Sequence, residues 1–75
     1  MHKPDPARVF ELVDRIRPLL AGNHPGVQGA VLADLLAIWL AGHPAELRED
    51  LLALTIAKAL ELVPINVEAM ARGIE

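Results

Sequence analysis

The sequence has no cysteine, serine or tyrosine, and Thr55 carries its one hydroxyl group. Without cysteine there is neither a disulfide framework nor a thiolate metal site. Catalysis by a serine or cysteine triad is excluded by composition. The aromatic residues are down to Phe10 and Trp39, so the stacking platforms that hold single-stranded nucleic acid are missing. Positive charge is scarce as well. Seven Lys and Arg against ten Asp and Glu leave a net charge of −3 and a pI near 5.5. That balance argues against nucleic acid and against an anionic membrane as partners. No stretch reads as a P-loop, a GxGxxG turn, an HExxH helix or a calcium loop. No cofactor is called for, and the chain is not expected to be an enzyme.

What the sequence has in excess is apolar character. Hydrophobic residues fill 53% of its 75 positions, and the mean hydropathy is +0.36. A chain this short sits near the lower limit for a self-sufficient core. It cannot shelter that much apolar surface alone, so the excess is expected to meet a second copy or a partner. The amino terminus, MHKPDPARVF, has no apolar h-region and runs straight into an amphipathic pattern, which predicts a cytoplasmic protein.

The run from Val27 to Ala41 is the most apolar part, and between Arg17 and Glu46 the one formally charged residue is Asp34. At about 100° per residue, Val31, Leu35, Leu36 and Trp39 fall on one arc of a helix, with Gln28 among them. Ala30, Ala33, Asp34, Ala37 and Ala41 fall on the other. An alanine face has two readings, and both stay open: a wetted surface of good helix formers, or a flat where another helix approaches closely. The run is shorter than the ~20 apolar residues of a membrane span. It is also closed by Gly22 and Pro25 on one side and Gly42 and Pro44 on the other. Trp39 is expected in the core, with an interface anchor as the alternative. Asp34 reads as a solvated acid or, alternatively, as a partly buried one paired with an arginine or lysine of another helix or another chain, such as Arg17, Arg48 or Lys58.

Asp5-Pro6 is a helix start, with Asp able to cap and Pro favoured at the first helical position. Residues 1–4 read as a loose lead-in. The first helix is predicted over 6–20, with Val9, Leu12, Val13 and Ile16 on one stripe and a kink or an end of its regular part at Pro18. The second is predicted over 25–41 and the third over 44–63. Pro64 is expected to end the third. A short last helix over 67–72 would be capped by Asn66, with Val67, Met70 and Ile74 facing inward. The third helix is apolar on two sides, Leu47, Leu51 and Leu54 on one and Leu52, Ile56, Leu60 and Val63 on the other. Lys58 lies within that arc and would have to snorkel out. The fold class is all-α: one domain, a small up-down antiparallel bundle of three main helices and a short C-terminal one.

The joints LAGNHPG and LAGHPAE use the same turn chemistry twice. His24 and His43 each precede a proline at a helix start, where a polar cap is the plain reading. They stand about 25 Å apart along the central helix, so they cannot share one metal ion within a chain. They could do so only across a dimer, with Asp34 as a further ligand. His2 falls in the lead-in. The functional expectation is a homo-oligomeric interaction module, with a dimer favoured. Its candidate interface comprises Ala30, Ala33, Ala37 and Trp39 of the central helix and Leu52, Ile56, Leu60 and Val63 of the third. One alternative is a helix-turn-helix nucleic-acid binder. Against it stands the acidic opening AELREDLL, where phosphate contact needs the reverse charge. The other is a binder of a small apolar ligand within the bundle.

Overall fold

A computed structural model describes residues 4–73; His2, Ile74 and the first three residues of the lead-in lie outside them. Among the described residues there are three helices and no strand: α1 (Pro6–Leu20), α2 (Pro25–Ala41) and α3 (Ala45–Ala71). The chain forms two compact units, Met1–Asp34 and Leu35–Glu75. The boundary falls inside α2, so the first unit holds α1 and the opening of α2. The second holds the end of α2 and all of α3.

In the first unit, Asp5 adopts an extended conformation and its carboxylate accepts the amide of Ala7 at 3.0 Å, with Pro6 at the first helical position. These are the cap and the preset φ that a helix start requires. Glu11 accepts from Arg8 and, at 3.1 Å, from Arg15. Such exposed pairs contribute a few tenths of a kcal/mol each. α1 passes through Pro18 and continues to Leu20. The ring removes the amide that the Asp14 carbonyl would receive, but Asp14 is exposed and water can serve that oxygen. Gly22, at φ 81°, turns the chain out of the helix. Asn23 Nδ2 then donates to the carbonyls of Leu19 and Leu20, both at 3.2 Å. Gln28 Nε2 donates to Leu20 O at 2.8 Å. That bond explains an amide on the large-residue arc, and Leu20 and Gln28 are the least exposed described residues of this unit.

In the second unit, Arg48 holds the α2–α3 joint. Its Nε donates to Leu40 O and to His43 O, each at 3.0 Å, and its Nη2 donates to Ala41 O at 3.4 Å. Leu36 and Leu40 of α2 and Leu51, Leu52 and Thr55 of α3 are half-buried.

α3 is one helix of 27 residues with Pro64 inside it, in place of the predicted break and separate helix over 67–72. Proline removes a single bond here, the one to the Leu60 carbonyl, and Leu60 is 68% exposed. With Leu60 exposed, water can serve the freed oxygen, and the helix tolerates the loss and runs on. Asn66 does not start a new helix. Its Nδ2 donates to Leu62 O at 2.9 Å, reinforcing the turn that the proline weakens. The helix ends at Gly73, φ 73°, whose amide reaches Met70 O.

No described side chain in either unit is buried. Trp39, expected in the core, is 43% exposed and meets the His43 ring edge-on at 5.0 Å.

Candidate interaction surface

The amino-terminal half of α2 presents an open groove of about 490 Å³ lined by His24, Gly26, Val27, Ala30, Val31 and Asp34. Positions 24, 27, 31 and 34 recur at helical spacing, so one face of α2 forms it. Its floor is apolar, with an imidazole near one end and a carboxylate near the other. Asp34 is exposed, as the solvated-acid reading has it. Two of the cations named for it are engaged locally: Arg48 with backbone carbonyls, Lys58 Nζ with Glu61 at 3.4 Å. Lys58 is therefore a solvated end of a surface pair and has no need to snorkel.

A second groove, about 400 Å³, lies on α3 between Leu54, Thr55, Lys58, Ala59 and Leu62. The Thr55 hydroxyl donates to Leu51 O at 2.8 Å, a helical back-bond that keeps its proton on the chain's own backbone. Among the described residues no three His, Asp or Glu side chains are grouped to hold a metal ion.

Of the candidate interface residues, Ala30, Ala33 and Ala37 are exposed on α2, while Ile56, Leu60 and Val63 are exposed on α3. Leu52 alone is half-buried.

The two histidines occupy different chemical positions. His24 caps the start of α2: its Nδ1 accepts the Gly26 amide at 2.9 Å, and its carbonyl accepts from Val27 and Gln28. A Cβ on Gly26 would come within 3.1 Å of that Nδ1, so a larger residue there would require the His24 ring to give by a few tenths of an ångström. His43 caps the end of α2 and not the start of α3, bonding through Nδ1 to Trp39 O at 2.8 Å. It corresponds to Asn23 in the first joint, and each reaches the carbonyl four residues back. The second joint is one residue shorter. Pro44 therefore stands at the cap position of α3 with no side-chain bond, leaving Glu46 as the acid in the first turn.

Sequence reasoning named Arg48 as a partner for Asp34 but missed its hold on the α2–α3 joint, because a guanidinium reaching back across a turn leaves no periodic trace. A cation four residues after a Gly-His-Pro joint is the one signal that pointed to it. Comparison with protein-family models, curated proteins and solved structures gives no match to this chain.

Proposed function

We propose that this chain is a helical protein–protein interaction module that assembles with copies of itself, a homodimer being the simplest form. The observation that carries the reading is the combination of no buried described side chain with 21 exposed large hydrophobic ones. Full burial of an exposed large apolar side chain is worth roughly 1.5–3 kcal/mol, and these are already partly covered, so many of them together are needed to offset an association cost of roughly 4–15 kcal/mol. Stable interfaces cover about 800 Å² per partner, and the exposed flank of α3 offers residues at helical spacing over 27 positions. In that assembly the antiparallel bundle expected from the short turns is completed between copies. Ala30, Ala33 and Ala37 supply a flat of small residues. Trp39, Ile56, Leu60 and Val63 supply bulk, beside Leu52.

The reading includes a cytoplasmic location and no catalytic activity. No described helix is long and apolar enough to cross a membrane. The acidic opening of α3 favours a protein partner over nucleic acid. Size-exclusion chromatography with light scattering tests the proposal. A species of twice 8.1 kDa or more is expected at micromolar concentration. A single 8.1 kDa species at high micromolar concentration overturns it, and salt-dependent DNA retardation would move the reading to the helix-turn-helix alternative.

A further inference from the structure

The joints that flank α2 repeat a sequence yet set their histidine rings against opposite kinds of backbone group, an amide at His24 and a carbonyl at His43. An amide N–H can only donate, so the bond from Gly26 N to His24 Nδ1 requires a bare Nδ1. In that geometry the ring proton belongs on Nε2. A carbonyl can only accept, so the bond between His43 Nδ1 and Trp39 O requires a proton on Nδ1. Both the Nδ1–H tautomer and the imidazolium supply one. We propose that α2 is an acid-responsive helix: its amino-terminal end is released when His24 gains a second proton, while its carboxy-terminal end holds.

The electrostatics of a helix give the two ends opposite signs. Pro25 has no amide hydrogen, which makes the Gly26 N–H the first orphan donor of α2. Protonating His24 removes its acceptor and sets a positive charge against the positive end of the helix dipole. Protonating His43 leaves its bond to Trp39 O intact and sets the same charge against the negative end. The other charged groups around each ring do not cancel this difference. Asp34 lines the same groove as His24 but lies ten residues on, about 15 Å along the axis, too far to replace the lost bond. From α1, whose end is joined to α2 through Leu20 and Gln28, the charged residue of the last turn is Arg17. Around His43 stand Arg48, bonded to the His43 carbonyl, and Glu46 in the first turn of α3.

The test is nitrogen NMR of the full chain, reading the ring tautomers and the amide hydrogen exchange together. At neutral pH, His24 is expected as the Nε2–H tautomer and His43 with a proton on Nδ1. When the pH is lowered until both ring nitrogens of His24 carry protons, exchange at Gly26 is expected to speed at least tenfold, corrected for its intrinsic pH dependence. Gly42 and His43, bonded to the last carbonyls of α2, are expected to keep their protection. His24→Asn supplies an acceptor that does not titrate, and should keep the helix while abolishing the acid response. A proton on His24 Nδ1 at neutral pH overturns the proposal. So does an acid response in His24→Asn equal to that of the unaltered chain. The tautomer reading does not depend on assembly, so it stands or falls apart from the proposed function.

Discussion

Arg48 reaches back eight residues to the carbonyl oxygen of Leu40, 3.0 Å from its Nε, while its Nη2 lies 3.4 Å from Ala41 O. The last carbonyls of a helix have no partner within it, and one planar guanidinium serves three oxygens around this joint. Arg48→Ala should destabilise the chain by about 1–2 kcal/mol, the net value of a few solvent-exposed bonds. Arg48→Lys should recover only part of it, because an ammonium cannot reproduce the fork. Urea unfolding followed by circular dichroism at fixed protein concentration reads both; an unchanged midpoint in Arg48→Ala would falsify the capping role.

Gly22 and Gly42 hold equivalent places in the two joints, but only Gly22 has a positive φ, at 81°. Gly22→Ala should cost about 1–2 kcal/mol, the penalty of a side chain in the left-handed region. At Gly42 an added Cβ would meet Trp39 O at 3.5 Å, an ordinary contact. Gly42→Ala should be neutral or stabilise by up to about 1 kcal/mol through the unfolded chain. Thermal melts of the two variants side by side should show Gly22→Ala lowered and Gly42→Ala unchanged or raised.

Pro64 sits inside α3, where it deprives the Leu60 carbonyl of a donor. Pro64→Ala restores that bond and should stabilise the helix by about 1–3 kcal/mol, the upper figure being the full penalty of an interior proline. A rise in melting temperature together with stronger helical ellipticity is the expected result. No change would mean that the turn around residue 64 is not held as a helix in solution.

Ile56→Arg and Ala37→Arg place a charge on the second side of α3 and on the small-residue face of α2. Both sites are exposed in the chain, so each variant should keep its helical signal. If α3 supplies the interface, Ile56→Arg should weaken assembly by at least tenfold, because a buried, unpaired cation is costly. Mass measured by light scattering across a dilution series gives the answer. Unchanged mass for both variants would place the contact on other faces.

The helices were legible where local chemistry decides them. Asp5 and Pro6 announce the start of α1, Gly22 its stop and Pro25 the next start, and each depends on a bond or a dihedral within a few residues. Pro64 misled because the rule against proline assumes that the orphaned carbonyl has nowhere to turn; on an exposed surface, it does. The histidines were legible as caps, His24 at the start of α2 as expected, but not that His43 serves the end of α2 in place of the start of α3. That depends on the single residue by which the joints differ in length. Burial was the least legible property. Periodicity tells which side chains share a face, but not whether anything lies against that face, and Trp39 shows the difference.

The ion pairs of Glu11, Glu61 and Glu68 belong to α1 and α3, and α2 carries one formal charge, Asp34. Ionic strength therefore acts unevenly along the molecule. Added salt screens the flanking helices and leaves the central one almost untouched, while a strongly excluded salt such as sulfate favours any step that removes the apolar flanks from water. Sodium chloride and ammonium sulfate become separate handles, one on the outer helices and one on apolar burial.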